Sequence, residues 1–287
     1  DFDPSPVSNS PARYEEPTKL NYSTFRESER DGWSERASIY SDATASATLQ
    51  TIPALLSHAR LFPGAKVLDA GCGPGYVAAC ASLLGADAEG VDFSQGMIDE
   101  ARRQFPNLSF NFGDVEAFSA PNLTFDVVLS NIVLFHVTNP TLAMSEAFRV
   151  LKSGGKFVFS QWLGPDQSEC YRLLFDVLGR HADMARADPA PNAYVLSDRE
   201  TVANMLQSVG FHNVRFEIVQ NVLNAPGPSF FDFFMKFGVR VPLIVQRQDE
   251  PIQSAIRKEV DSLASEYFSD GSYKIPMPSI IFSAEVA

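Results

Sequence analysis

The sequence predicts an α/β fold built on a doubly wound sheet. Three observations lead there: short apolar runs recur between residues 66 and 162, these runs do not alternate apolar with polar residues, and helix-period segments separate them. Unbroken apolar strands are expected of a parallel sheet covered on both faces. Strand and helix in alternation supply the cover.

The elements follow in chain order. Residues 1–20 are rich in Pro, Ser and Asn and read as a flexible tail. From Tyr22 to about Leu61 the pattern is helical, with Trp33, Ala37, Tyr40 and Ala43 at helical spacing. Strands are expected at Lys66–Ala70, Ala88–Asp92, Leu108–Phe112, Phe125–Leu129 and Lys156–Trp162, with helices at Tyr76–Leu84, Ser94–Phe105 and Pro140–Leu151 between them. Beyond Trp162 the pattern loosens. Ser168–Ala187 reads as an inserted helix. Ser197 caps another, with Glu200 completing a capping box and Gly210 as the stop. A strand at Val214–Val222 and a Phe-rich helix near Ser229–Phe237 come next. An amphipathic helix near Glu250–Tyr267 carries Ile252, Ile256, Val260, Leu263 and Tyr267 on one face. Ile280–Val286 closes the chain as a strand. No internal repeat divides the chain, so residues 21–287 read as one domain: cap helices to 61, a ligand-binding core over 62–162, then insertions and final strands over 163–287.

Composition narrows the partners. The 287 residues include 23 basic and 35 acidic side chains, a net charge of −12. Such a surface disfavours nucleic acid and anionic membranes, which both need a cationic face. No apolar run is long enough to span a bilayer, and no basic-then-apolar leader opens the chain, although its first residue is not Met. Cys72, Cys80 and Cys170 form neither a disulfide framework nor a metal spacing, which leads us to expect a reducing, cytoplasmic setting and no metal.

The chemistry is concentrated at Val67–Ala78, VLDAGCGPGYVA. Gly71, Gly73 and Gly75 remove Cβ atoms where a strand turns into a helix, so a ligand can meet backbone N–H groups. The spacing is G-x-G-x-G, not the G-x-G-x-x-G expected for a pyrophosphate. Asp69, on the strand just before, would repel a diphosphate but suits an ammonium group. Asp92 ends the next strand, about 20 residues beyond the glycines, where a carboxylate accepts hydrogen bonds from ribose hydroxyls. Phe93 and Met97 are placed to sandwich a base, and Asp114 to accept from an exocyclic amine. Ribose, adenine and an ammonium-bearing tail without phosphate describe S-adenosyl-L-methionine.

The stretches VLDAGCGPG, GVDFS, GDVEAF, FDVVLSNIVLFHV and LKSGGKFVFS, in this order and spacing, resemble the motif set of class I S-adenosylmethionine-dependent methyltransferases. The likeness is greatest to the small-molecule branch that includes the ubiquinone and menaquinone C-methyltransferases, over about Trp33 to Trp162. It implies a Rossmann-like, mostly parallel, seven-stranded sheet with an antiparallel last strand and helical insertions as lids. It also implies site residues. Asp69 would hold the methionine ammonium, with Gly71, Cys72 and Gly73 forming the loop beneath the methionine end. Asp92 would bind ribose, Phe93 and Met97 would flank adenine, and Asp114 with Val115 would meet the adenine amine. The backbone around Ser130 and Asn131 would approach the ammonium, and Tyr40 of W-x-x-x-A-x-x-Y would close over the cofactor.

His136, just past the fourth strand, has two readings: a general base for the acceptor, or a residue that fixes its loop through hydrogen bonds. His181 and His212 are read as surface or packing residues, and Asp126 as structural. Phe230, Phe231, Phe233, Phe234 and Phe237 could line an apolar pocket or build core. The function expected is methyl transfer to a small, partly apolar metabolite, such as a polyketide, terpenoid, quinone or thiol of secondary metabolism. Three rivals are a protein of this fold performing a non-methylating step, an NAD-dependent oxidoreductase, and a non-enzymatic interaction module.

Overall fold

Burial along the strands is two-sided, as the unbroken apolar runs require. Val67, Leu129, Val158 and Ile281 pack on one face of the main sheet, while Leu68, Val128, Phe157 and Phe282 pack on the other. In this computed structural model, which describes residues 22–287, the chain forms eleven helices and ten strands among the described residues. The tail expected at 1–20 lies outside the described residues.

A helical cap comes first: α1 (Ser23–Arg36), a 3-10 turn (Ala37–Asp42), α2 (Ala45–Thr48) and α3 (Ile52–Ala59). The core follows as β1 (Lys66–Ala70), α4 (Tyr76–Leu83), β2 (Asp87–Asp92), α5 (Gln95–Gln104), β3 (Ser109–Phe112), β4 (Phe125–Asn131), α6 (Pro140–Val150) and β5 (Leu151–Trp162). Then come α7 (Glu169–His181), α8 (Arg199–Val209), β6 (His212–Val219), β7 (Val222–Pro226), α9 (Phe230–Phe237), α10 (Arg240–Gln246), α11 (Glu250–Ala264), β8 (Phe268–Ser269), β9 (Ser272–Pro276) and β10 (Ser279–Glu285).

The main sheet has seven strands in the order β3-β2-β1-β4-β5-β10-β6. Pairings among β3, β2, β1, β4 and β5 are parallel, and β10 runs antiparallel to both its neighbours. Winding reverses between β1 and β4, which opens a crevice at the carboxyl ends of those strands. Helices α3, α4 and α5 cover one face through Leu55, Ala78 and Ile98, and α6 and α8 cover the other through Met144 and Leu206. Each such fully buried large aliphatic side chain contributes about 2 kcal/mol. Local caps agree with this placement. Ser94 opens α5 by accepting from Met97 N at 3.3 Å, and Asn139 opens α6 by accepting from Leu142 N at 3.1 Å.

A third cluster lies off the carboxyl edge, where α7, α9, α10 and α11 pack on a small sheet of order β7-β9-β8. The sequence pattern does not reveal this sheet. The single strand expected at Val214–Val222 divides at Asn221, a buried residue that donates to Ala47 O (3.2 Å) and accepts from Ser279 Oγ (2.7 Å). The chain thereby leaves the main sheet after β6 and enters the small one as β7. The cap of α8 is Asp198, not Ser197: the carboxylate accepts from Thr201 N at 2.8 Å, while Ser197 Oγ donates to Tyr194 O in the preceding turn. The helix expected to run to Tyr267 ends at Ala264, and Leu263 is exposed, so the buried stripe is Ile256, Val260 and Ala264. No described helix is long and apolar enough to cross a membrane.

Candidate active site

The turn after β1 is left-handed at all three glycines, with φ of 75° at Gly71, 49° at Gly73 and 87° at Gly75. Their roles differ. A Cβ on Gly71 would lie 2.5 Å from Val133 Cγ1, and one on Gly75 would lie 2.6 Å from Phe110 Cζ, whereas one on Gly73 would meet nothing within 4 Å. Gly71 and Gly75 therefore make room for protein side chains, and at Gly73 alone the Cβ position is empty. Gly71 and Gly73 also border open space, whereas Gly75 does not. Cys72 fills the gap above Gly90, whose added Cβ would sit 2.8 Å from the thiol-bearing Cβ.

Two buried carboxylates frame this turn. Asp92 accepts from Gly73 N and Ser94 N, both at 2.9 Å, so it fixes the loop as well as facing the crevice. Asp69 Oδ2 accepts from Ala78 N at 2.9 Å in the first turn of α4. Asp69 Oδ1 is buried with no hydrogen-bond partner among the described residues. Burial pushes Asp69 up to about 7, with the Ala78 N–H working against it and Asp92 adding to it. Burial likewise pushes Asp92 up to about 6, against the N–H groups of Ser94 and Gly73. An orphaned carboxylate oxygen in a dry site favours a cationic partner. The donor set thus fits the ammonium of S-adenosylmethionine, and the open space at Gly73 fits a ligand resting on the loop.

A cavity of about 320 Å³ lies beyond the carboxyl edge of the sheet. Gly71, Gly73, Asp92, Phe93, Met97, Asp114 and Val115 line its glycine-loop end. Tyr40 and Asn131 line both this cavity and a small adjoining pocket that contains Asp69 and Cys72. Tyr40 shares a hydrogen bond with Thr48 Oγ1 at 3.1 Å, and burial raises its phenol to about 12. Asn131 is tied down by Ser160 Oγ (2.6 Å), by Thr51 Oγ1 and by its own donation to Thr48 O (3.1 Å). Ser130 lines neither space. Its hydroxyl donates to Ala70 O at 2.8 Å and clamps β4 to the end of β1. Asp114 does line the cavity, but its carboxylate pairs with Arg26 of α1 and accepts from Glu116 N at 2.9 Å.

Helix α1 roofs the cavity with Phe25, Arg26, Glu29 and Trp33. Its one buried carboxylate, Glu29, is 1% exposed and lies 2.6 Å from His136 Nδ1. Trp33 Nε1 donates to the same Glu29 oxygen at 3.2 Å, and the Trp33 ring meets the imidazole edge-on. The contact with Glu29 engages Nδ1, so Nε2 is the ring nitrogen left for a ligand. Both readings of His136 are compatible with its place: it ties its loop to α1 and lines the cavity.

The far end is aromatic: Trp162, Tyr171, Phe175, Tyr194, Phe234 and Phe237 line it, with Gln161 and Arg240 as polar residues. The phenylalanine cluster divides between the two readings, since Phe234 and Phe237 face the cavity while Phe230 and Phe233 pack in the lid core. His181 pairs with Glu259 away from the cavity, and Asp126 accepts from Lys66 N and Lys152 Nζ, both at 2.8 Å, as a structural link. Sequence reasoning missed Glu29, Gln161 and Arg240. Glu29 left a signal: it shares one helical face with Phe25, Trp33 and Ala37, a carboxylate set in an apolar stripe.

Known proteins resemble this chain in sequence and in fold. Residues 68–159 match the family described as a methyltransferase domain. The chain is 32% identical to a demethylmenaquinone methyltransferase of Tropheryma whipplei over 168 residues, covering 54% of this chain and 69% of that protein. It is 29% identical to a malonyl-[acyl-carrier protein] O-methyltransferase of Serratia marcescens, covering 50% of this chain and 56% of that protein. The chain therefore spans little more than half the length of the latter relative. In fold it resembles the YcgJ protein of Bacillus subtilis, with a TM-score of 0.57 at 17% identity over 82% of this chain and 97% of that one. The chain belongs to the class I S-adenosylmethionine-dependent methyltransferases.

Proposed function

We propose that this methyltransferase acts on a small, partly apolar metabolite that must lose a proton, with His136 as the base. The observation that carries this reading is the Glu29–His136 pair, buried in the wall between the glycine loop and the aromatic end. When bound, S-adenosylmethionine supplies an electrophilic sulfonium methyl. The chain aligns the acceptor with that methyl and keeps water out, which suffices for much of the rate in an in-line displacement. Asp69 holds the ammonium, Asp92 the ribose hydroxyls, and Phe93 and Met97 the base. Asp114 reaches the adenine amine once Arg26 lets it go. At the far end the aromatic walls hold the acceptor's apolar body. His136 Nε2 would take the proton that the O, N, S or C acceptor loses as the acceptor–methyl bond forms and the methyl–sulfur bond breaks, and Glu29 would face the imidazolium that results. Cys72, Cys80 and Cys170 are all free thiols, which suits a reducing, cytoplasmic setting.

The test is transfer of radiolabelled methyl from S-adenosylmethionine to a panel of phenols, quinols, aliphatic thiols and hydroxylated polyketides, run beside a protein extract and transfer RNA. Labelling of small molecules that falls about 100-fold in His136→Asn supports the reading. Preferential labelling of protein or RNA overturns it.

A further inference from the structure

Gln161, on β5, carries an unanswered hydrogen-bond acceptor within the wall of the aromatic end. Its side chain is 1% exposed and lies in the cavity wall. The amide orientation follows from its neighbour, because Nε2 is the donor that meets Ala193 O at 3.2 Å and a carbonyl facing that oxygen would be repelled. Oε1 is consequently the free atom, and it is buried with no hydrogen-bond partner among the described residues. An unmet buried carbonyl of this kind is destabilising. Around it the wall is aromatic. Tyr171 and Tyr194 sit edge to face with ring centroids 5.8 Å apart, and Phe175 packs on both. Trp162, the next residue along β5, turns to the opposite side of the strand and still reaches the cavity.

We propose that Gln161 forms a selectivity subsite for a hydroxyl or N–H group on a flat, aromatic-sized acceptor. The proposal rests on the methyl-transfer reading above and deepens it. A ligand that donates to Oε1 removes the cost of the unmet carbonyl, while one lacking a donor leaves that cost in place. A site built this way rejects the donor-free analogue far more strongly than an apolar pocket distinguishes one methylene. Gln161 is therefore a specificity-determining residue, distinct from His136 in that it takes no proton.

The experiment uses the whole chain saturated with S-adenosylhomocysteine and titrates β-naphthol and its methyl ether calorimetrically. Wild type is expected to prefer the naphthol by about tenfold or more. In Gln161→Met, of similar volume and without the carbonyl, the preference should fall to within about twofold. Gln161→Glu, measured at pH 5 where a buried carboxyl is protonated and mimics the amide, should restore the preference and guard against a mere folding defect. Equal binding of the two probes by wild type, no binding of either, or a preference that survives in Gln161→Met would overturn the proposal. Failure of S-adenosylhomocysteine itself to bind wild type would instead sink the methyl-transfer reading on which it rests.

Discussion

The two ends of the cavity are built in opposite ways. At the glycine-loop end, residues 69–73, 92–97 and 114–115 come from three successive strand ends, and the backbone supplies most of the contacts: two carboxylates are held by the N–H groups of Gly73, Ala78 and Ser94. In the middle of the cavity and at the aromatic end, Glu29, His136, Gln161, Tyr194 and Phe237 come from distant parts of the chain. The first end recognises a ligand common to a whole family. The second, on the proposed function, is where the acceptor is chosen. A shared ligand can be met by backbone geometry that tolerates sequence change, whereas a particular acceptor needs particular side chains.

Asp69→Asn should widen this contrast most. The amide keeps its place near Ala78 N but loses the charge, so S-adenosylmethionine binding should weaken about 100-fold in calorimetry. The empty variant should be more stable than wild type at pH 8. Wild type has a folded-state carboxyl raised to about 7 against an unfolded value near 4, so its contribution is favourable at low pH and is lost as pH rises through 7. The difference between the two proteins should vanish below about pH 4. If the variant binds as well as wild type, the glycine-loop end is misread.

His136→Asn should act at the other end, lowering methyl transfer about 100-fold with S-adenosylhomocysteine affinity within about twofold. Glu29→Gln should lower it about tenfold, because the negative charge that faces the imidazole is removed. A loss of cofactor affinity in either variant would show that the two ends are not separable.

Proton linkage gives a smaller signal. At pH 6 part of the Asp69 population carries a proton in the empty protein, so binding a cationic cofactor should release up to about one proton. The release should disappear above pH 8. Titrations in two buffers of different ionisation enthalpy read it directly, and no release at pH 6 would deny the pairing of Asp69 with the ammonium.

The glycines give the smallest effects and the finest discrimination. Gly75→Ala should cost stability, roughly 1–3 kcal/mol by thermal melt, because its Cβ meets Phe110. Gly73→Ala, with open space around it, should cost about 1 kcal/mol of stability and mainly weaken cofactor binding.

The same contrast explains what is legible in the sequence. Strand ends Ala70, Asp92 and Phe112 are placed by apolar runs that stop, and the turn chemistry beside them is local, so residue order alone reveals this end. The run Lys66–Ala70 coincides with β1 to the residue. Asn221 hides the second sheet, because a change of sheet leaves no break in β propensity. Asp198 displaces Ser197 as a cap because either residue type serves and only the tertiary path decides. Glu29, Gln161 and Arg240 are ordinary polar residues in sequence, and their burial depends on which helix lies across from them. Asp114 lines the cavity, as its place after β3 suggests, but nothing local announces its bond to Arg26, a partner 88 positions away.

Helix α1 ties the two ends together. It touches the glycine-loop end through Arg26 and Asp114, the middle through Glu29 and His136, and α5 through the Ser34 and Ser94 hydroxyls at 2.8 Å. Its Gly32 is packed so closely on Val239 that an added Cβ would lie 2.6 Å away, so the same helix also bears on the start of α10. One rigid piece thus roofs both ends at once. A ligand at either end therefore lies under the same helix, and a substitution in α1 bears on both ends together.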